Sequence, residues 1–318
     1  MVLKKMKIEK NSYNKNKSFL NIKQRKSSIL DDNIYDQLKK CLNDKKLISK
    51  INQSYLPIIK KLKDDLFSDD SETKEIKFKI TENNLKEIEL LDYDNLLKFL
   101  VHRYRYDIYP QTLELDDYPP YLQIEPTSFC NYRCVFCFQS NPNFSKRKNG
   151  FMGHMTYETF KDVIDQAENN IEFISLASRG EPLICRDIEK MLAYTRNKFL
   201  NLKLNTNASV LTESKIHSIL QSGVKTLVFS ADAANEKLYE KLRVNGSFKK
   251  IMKNIKLFKE IREKQYPQAK IITRVSGVKV NESQKFDDMK NFWNELVDQV
   301  AFVDYCPWED VYSSKQNK

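Results

Sequence analysis

Residues 121–137 read YLQIEPTSFCNYRCVFC and join a short β-type run to a loop that holds three cysteines. Cys130, Cys134 and Cys137 fall within eight residues of one another. Thiolates so close in the chain can bind one metal centre, and here they follow directly on a strand. This stretch therefore predicts both the first strand of a domain and a metal centre at its carboxyl end.

Two kinds of metal centre fit three cysteines in one loop. Three protein ligands on a cubic four-iron cluster leave one iron open to a substrate or cofactor. The alternative is a zinc site with a fourth ligand from Cys185, Cys306 or His154. Zinc sites favour paired CxxC knuckles, and the sequence has no second knuckle, so the pattern favours the cluster.

After this loop, short β-branched or aromatic runs alternate with segments whose apolar residues recur at helical spacing. Strands are predicted at 121–125, 171–177, 201–206, 224–231, 270–276 and 300–304. Strands that alternate with helices indicate βαβ units and a parallel sheet. The span from the first to the last predicted strand, residues 121–304, is shorter than the roughly 250 residues of a closed eight-unit barrel. The sequence therefore predicts an α/β fold, a partial (β/α)6 barrel with an α-rich N-terminal extension.

The chain before the barrel has a different composition. It is rich in Lys, Asn and Ser without periodicity at first, and then has loosely helical apolar spacing. Pro119 and Pro120 end any helix and predict the linker into the first strand. The predicted regions are a disordered basic tail at 1–28, an α-rich extension at 29–118, the barrel at 119–306 and the start of a C-terminal extension at 307–318.

Composition excludes several classes of protein. The 318 residues are 41% hydrophobic and 11% aromatic, which excludes global disorder. No apolar run approaches the roughly 20 residues that cross a bilayer, so no membrane association is expected. The N-terminus MVLKKMKIEK is basic but lacks the apolar segment of a secretion signal, which predicts a cytoplasmic protein with reduced cysteines.

The net charge of +11 raises the question of nucleic-acid binding. Residues 1–26 hold nine Lys or Arg against Glu9 alone, and so carry eight of the eleven net positive charges. The remaining chain has both signs interspersed, as on an ordinary solvated surface. This distribution argues against nucleic acid as a partner of the folded part.

The CxxxCxxC pattern followed by an α/β unit resembles the radical S-adenosylmethionine (radical SAM) superfamily. The resemblance implies a [4Fe-4S] cluster on Cys130, Cys134 and Cys137, with S-adenosylmethionine bound to the open iron. It also implies that an electron from the cluster cleaves this cofactor to methionine and a 5′-deoxyadenosyl radical. Phe136 matches the aromatic residue that the family places beside the adenine.

Later strand ends carry further matches, in the family's order. Residues 178–184, SRGEPLI, resemble its GGEP element, with Arg179 in place of the first glycine. Asn207 matches the TNG element, Ser230 and Asp232 match SxD, and Arg243 matches an arginine that pairs with the methionine carboxylate. The implied cofactor-binding residues are Phe136, Gly180, Glu181, Pro182, Asn207, Ser230, Asp232, Arg243 and Ser276, the last being the least specific.

Each of these matches has a structural alternative. The GEP residues also suit a strand-to-helix turn, Ser230 and Asp232 suit helix caps, and Arg243 suits a solvated helix end. Cys306 is a candidate auxiliary ligand or a hydrogen-atom or proton donor, with a buried thiol as the alternative. Cys41 and Cys185 are expected to be structural.

The sequences of these elements most resemble those of the subgroup with a C-terminal SPASM or twitch extension. That extension brings further cysteines, whereas only Cys306 follows the last predicted strand, which suggests a truncated chain or absent auxiliary clusters. The resemblance implies hydrogen abstraction from a small-molecule, saccharide, nucleotide-type or peptide substrate, and an electron donor such as flavodoxin or ferredoxin. The alternatives are a non-catalytic protein stabilised by a cluster or by zinc, with RNA as its partner, and an inactive fragment.

Overall fold

The computed structural model describes residues 11–14, 31–68 and 76–305. Its centre is a parallel sheet, in which seven strands of the described residues lie in the order β2, β4, β5, β6, β8, β9, β1. A separate antiparallel ribbon pairs β3 with β7. The strands are β1 Asn11–Asn14, β2 Tyr121–Ile124, β3 Arg133–Cys134, β4 Phe173–Leu176, β5 Asn201–Thr206, β6 Val224–Ser230, β7 Arg243–Val244, β8 Ile272–Lys279 and β9 Gln299–Asp304.

All six predicted strands are present as β2, β4, β5, β6, β8 and β9, and each bound lies within three residues of its prediction. Neighbouring strands pair in parallel, and helices lie in the connections between them. On β5, residues alternate between buried and partly exposed, with Leu202 and Leu204 packed into the core that the helices cover. The predicted α/β fold with a six-strand parallel sheet is therefore confirmed.

One part of the predicted disordered tail is a strand. Residues Asn11–Asn14 form β1, which pairs in parallel with Gln299–Phe302 of β9 and extends the sheet by one strand. The prediction of disorder is wrong for these four residues, because pairing at a sheet edge needs only backbone donors and acceptors and no apolar periodicity. The rest of the predicted tail lies outside the described residues.

Helices occupy the N-terminal extension and the connections of the sheet. Those of the extension are α1 Asp32–Asn43, α2 Lys45–Ile48, α3 Leu56–Phe67, α4 Glu82–Leu90 and α5 Tyr93–Thr112. Those of the barrel are α6 Pro142–Ser145, α7 Tyr157–Ala167, α8 Ile188–Tyr194, α9 Glu213–Gln221, α10 Glu236–Leu242, α11 Phe248–Gln265 and α12 Phe286–Trp293. In the described part of the chain, no helix combines the length and apolar character needed to span a membrane.

Buried apolar residues form two clusters, one between residues 34 and 108 and one between residues 124 and 302. The extension packs on the amino ends of the barrel strands. The His102 ring of α5 stacks on Phe173 at the start of β4, with ring centroids 3.8 Å apart. The buried Arg105 guanidinium donates to the carbonyl oxygen of Asn170, just before β4. The carboxyl ends, where the cysteine loop lies, are on the opposite side of the barrel.

Candidate active site

The loop after β2 and the loop after β4 are in direct contact. The Glu181 amide donates to the carbonyl oxygen of Phe129 at 2.8 Å. A methyl group on Gly180 would lie only 1.9 Å from the carbonyl oxygen of Thr127, so the close contact between the two loops requires glycine at this position. The GEP element therefore packs against the segment that leads into the cysteines.

Cys130 lies beside a network of amide and hydroxyl groups at the end of β5. The Asn207 side-chain amide is 4.0 Å from the Cys130 sulfur and 3.0 Å from the Asn131 side-chain oxygen. The Asn131 amide donates in turn to the Ser209 hydroxyl at 2.8 Å. The backbone amide of Tyr132 approaches the same sulfur at 3.5 Å. These N–H groups would stabilise the negative charge of a Cys130 thiolate.

Cys134 faces a buried arginine across the β3–β7 ribbon. Arg243 is its register partner, and Nη1 of Arg243 lies 3.8 Å from the Cys134 sulfur. Burial raises the pKa of Cys134 to about 11, although the charge of Arg243 opposes this shift. The guanidinium carbon of Arg243 is also 5.6 Å from the centre of the Phe136 ring. Arg243 therefore connects the second cysteine with the aromatic residue beside the third.

Arg243 and Asp232 form a buried ion pair. Nε of Arg243 donates to Oδ2 of Asp232 at 2.5 Å, and their side chains are 7% and 0% exposed. The other Asp232 oxygen accepts from the Val278 amide at 2.7 Å. The pKa of Arg243 lies above its ordinary value, because the charges of Asp232 and Cys134 outweigh burial. The resemblance implied separate cofactor contacts for these two residues, and those contacts stay predictions.

Two of the structural alternatives are wrong at these positions. Helix α10 is capped by Asn235, so neither Ser230 nor Asp232 caps it. Arg243 is 6% exposed and is not a solvated helix end.

Gly277 allows β8 to pass close to Asp232, since a methyl group there would lie 3.3 Å from the Asp232 Cα and 2.7 Å from the Ala231 carbonyl oxygen.

The Glu181 carboxylate ties the end of β4 to the end of β5. It accepts from the Thr206 hydroxyl at 2.6 Å, from the Asn207 amide at 2.6 Å and from the Leu183 amide at 3.2 Å. Burial raises the pKa of Glu181 despite these three donors. The Leu183 contact is a helix cap, so the turn alternative is correct for Glu181. Its role in cofactor binding stays a prediction.

Arg179, the departure from the family pattern, has a specific partner. Its guanidinium binds Glu125 at the end of β2, with Nη2 to Oε1 at 3.0 Å and Nε to Oε2 at 3.1 Å. Its backbone amide also donates to Oε2 of Glu125 at 3.1 Å. Partial burial opposes ionisation of Glu125, but these donors prevail and lower the pKa of Glu125. An arginine here therefore joins two strand ends at the rim of the site.

The structure also gives the positions of the other predicted residues, whose roles stay predictions. Ser230 is the last residue of β6, and its register partner Ser276 lies in the middle of β8. Pro182 opens the short 3-10 turn after Glu181. Cys41 and Cys185 are buried free thiols, as expected for structural residues, and burial raises the pKa of Cys41 to about 12. Cys306 and residues 307–318 lie outside the described residues.

The donor set fits an iron–sulfur cluster in its chemistry. The loop offers three thiols, and amide or guanidinium N–H groups approach the sulfurs of Cys130 and Cys134. Each thiolate of a four-iron cluster binds a different iron, whereas a single zinc ion needs all of its ligands around one point. Among the described residues, no three His, Cys, Asp or Glu side chains are placed to share one metal ion.

Residues 124–276 match the sequence profile of the radical SAM superfamily. This part of the chain is a radical SAM domain. The matched range includes all three cysteines and every predicted cofactor-binding residue, from Phe136 to Ser276. The cofactors of the radical SAM superfamily are a [4Fe-4S] cluster and S-adenosylmethionine, in agreement with the prediction.

Curated relatives match part of the chain. A GTP 3′,8-cyclase of Clostridium botulinum (strain Okra) is 27% identical over 209 residues, which cover 62% of this chain and 61% of the relative. An AdoMet-dependent heme synthase of Methanosarcina barkeri is 26% identical over 186 residues, covering 58% of this chain and 51% of that protein. The chain thus spans less than two thirds of the length of these relatives.

Solved structures share the fold. Streptococcus suis SuiB bound to S-adenosylmethionine matches with a TM-score of 0.50 and 20% identity, over 71% of this chain and 51% of SuiB. SuiB bound to its precursor peptide SuiA matches with a TM-score of 0.51 and 18% identity, over 83% of this chain and 57% of SuiB. At these identities, the match supports the architecture alone.

Sequence reasoning missed several residues that support the site. Asn131 and Ser209 complete the network beside Cys130. Gln284 donates to the backbone oxygen of Asp232 at 2.9 Å and so supports the buried pair from the loop after β8. The position of Asn131 inside the cysteine loop could have singled it out, but the sequence contains no signal for the other two.

Proposed function

We propose that this chain is a radical SAM enzyme that cleaves S-adenosylmethionine reductively and uses the product to abstract a hydrogen atom from a substrate. When bound, the cluster supplies the electron for this cleavage, which yields methionine and a 5′-deoxyadenosyl radical. Cys130, Cys134 and Cys137 would hold the cluster. The residues around them would bind the cofactor and exclude water from the radical.

The observation that carries this proposal is the contact of three separate strand ends with the cysteine loop, which itself follows β2. Gly180 after β4 packs on Thr127, and Asn207 after β5 approaches Cys130. Asp232 after β6 holds Arg243, which reaches Cys134. These elements follow in the family's order within the matched range, and together they supply N–H donors for two thiolates.

Electron paramagnetic resonance tests cofactor binding apart from turnover. We expect the reduced, reconstituted chain to give a cluster signal that changes when S-adenosylmethionine is added, because the open iron gains new ligands. Cys137→Ala should give no comparable signal. A four-iron cluster whose signal is unchanged by saturating S-adenosylmethionine would contradict the proposal.

The substrate and the electron donor belong to this proposal as well. We infer a polar small-molecule, saccharide or nucleotide-type, or peptide substrate, with flavodoxin or ferredoxin as the donor of the electron. Similar proteins support a nucleotide-type and a peptide substrate, since one is a GTP 3′,8-cyclase and SuiB binds the precursor peptide SuiA. A cytoplasmic location is supported by the five described cysteines, all of which are free thiols.

The alternative of a non-catalytic protein, stabilised by a cluster or by zinc, makes a different prediction. Such a protein would hold its metal without responding to S-adenosylmethionine. The buried ion pair beside Cys134 and the donors beside Cys130 favour the enzyme, because a purely structural thiolate site has no need of a guanidinium reaching toward it. Metal analysis of anaerobically purified protein distinguishes iron from zinc.

A further inference from the structure

The barrel has a polar inner face. Helices cover Leu202 and Leu204 on β5 and Val275 on β8, and so the residues between them face the other side of the sheet, into the lumen. Strand pairing aligns this inner face in rows across the sheet. Polar and charged residues of this inner face include Asn201, Lys203, Asn205, Arg274 and Gln299.

Lys203 is a cation with no hydrogen-bond or ion-pair partner among the described residues. Burial and the nearby charge of Arg274 lower the pKa of Lys203 to about 8, so it still carries most of its charge at neutral pH. Arg274 itself is occupied, since it donates to Oε1 of Gln299 at 2.8 and 2.6 Å and interacts with the charge of Glu87 on α4. A confined, unpaired cation is costly, and a bound anion would offset that cost.

Neighbouring amide groups on β5 also lack partners. The side-chain oxygens of Asn201 and Asn205 are buried from solvent and accept no hydrogen bond in the described residues. Buried acceptors of this kind normally have a donor. Asn205 lies two residues from Lys203 on the same face of the strand, so both groups can contact one ligand.

The position along the barrel suits a substrate. Lys203 precedes Asn207, the residue beside Cys130, by four strand positions, which corresponds to about 13 Å along β5. A molecule held at Lys203 can therefore extend toward the cysteine loop. The extension packs on the amino ends of the strands, where Glu87 of α4 interacts with Arg274, and so restricts the lumen on that side.

We propose that the lumen binds a small polar anion, with Lys203 anchoring its carboxylate or phosphate group and Asn205 accepting from an adjacent hydroxyl or amino group. This inference rests on the proposed function and assigns the substrate of the enzyme to a chemical class. It also places the anionic end of the substrate deep in the barrel, with its remaining part toward the cluster loop.

Calorimetric titration of the full, anaerobically reconstituted chain tests the proposal. The probes are pyrophosphate and succinate at constant ionic strength and pH 7, which distinguish a phosphate site from a carboxylate site. We expect saturable binding of at least one probe, weakened roughly tenfold or more in Lys203→Met and retained within a few-fold in Lys203→Arg. Lys225→Met, which changes an exposed lysine on β6, is the matched control and should bind as the unaltered chain does.

Asn205→Asp is a second variant that does not depend on the folding of Lys203→Met. A carboxylate beside Lys203 would pair with it and compete with the anion, so we expect probe binding to fall as well. Absence of saturable binding of both probes to the unaltered chain would overturn the proposal, as would equal binding by Lys203→Met. Cleavage of S-adenosylmethionine without substrate, measured separately on the unaltered chain, tests the proposed function independently of this result.

Discussion

Arg243 stands directly opposite Cys134 in the β3–β7 ribbon, with its Nη1 atom 3.8 Å from the cysteine sulfur. The same guanidinium is paired with Asp232, which is fully buried. One side chain thus couples the cysteine loop to the end of β6. Removing Arg243 therefore affects the stability of the protein in addition to any contact with a cofactor.

The first prediction concerns this pair. We expect Arg243→Ala and Asp232→Ala each to lower the free energy of unfolding by about 3–5 kcal/mol, because each leaves a buried charge unpaired. The double variant should cost less than the sum of the two, with a coupling of about 0.5–3 kcal/mol. Urea unfolding of the four proteins without metal checks this, and strictly additive effects would contradict it.

The second prediction concerns the contact of the GEP element with the cysteine loop. Gly180→Ala should displace residues 127–129 and reduce the iron bound after anaerobic reconstitution, because its methyl group cannot fit beside Thr127. Gly153→Ala is the matched control, since a methyl group there meets nothing within 4 Å. Iron content per chain is the measurement, and normal iron loading of Gly180→Ala would argue against this contact.

The third prediction concerns pH and the Glu125–Arg179 pair. The pKa of Glu125 is lowered in the folded protein, so the stability from this pair is present above the unfolded value of about 4.3 and is lost as pH falls through the folded value. Glu125→Gln should cost about 1 kcal/mol at pH 7, a figure reduced for solvent screening because Arg179 is 33% exposed.

The difference between the unaltered chain and Glu125→Gln should shrink as pH falls below 4. Urea unfolding at pH 7, 5 and 3.5 measures it. Glu263→Gln, at an exposed position on α11, is the control and should stay within about 0.5 kcal/mol of the unaltered chain. A difference that is independent of pH would exclude the ion pair as its source.

The fourth prediction concerns the N-terminal segment. Removal of residues 1–26 deletes β1 and uncovers the edge of β9, so the thermal midpoint should fall. Iron loading should be unaffected, because the cysteine loop follows β2 at the far edge of the sheet. Removal of residues 1–10 alone spares β1 and should lower the midpoint less than the longer deletion does. Loss of the cluster in the longer deletion would contradict the domain organisation.

Much of the fold could be predicted because β-branched runs bounded by polar loops identify strands locally, as at 201–206 and 224–231. Strand β1 could not be predicted, since its pairing depends on the backbone of β9, nearly 300 residues away. The pairs Arg243–Asp232 and Arg179–Glu125 were missed for the same reason. Each residue could be singled out in the sequence, but its ion-pair partner is known only from the folded chain.

Reductive cleavage of S-adenosylmethionine is the reaction that tests the proposed function without knowledge of the substrate. The chain, reconstituted anaerobically and reduced, should form 5′-deoxyadenosine and methionine in equal amounts without any added substrate. Cys130→Ala, Cys134→Ala and Cys137→Ala should form neither, whereas Cys41→Ala should retain the reaction because Cys41 is buried in the N-terminal extension. A chain that holds four irons, is fully reduced and still yields no 5′-deoxyadenosine would contradict the proposed function.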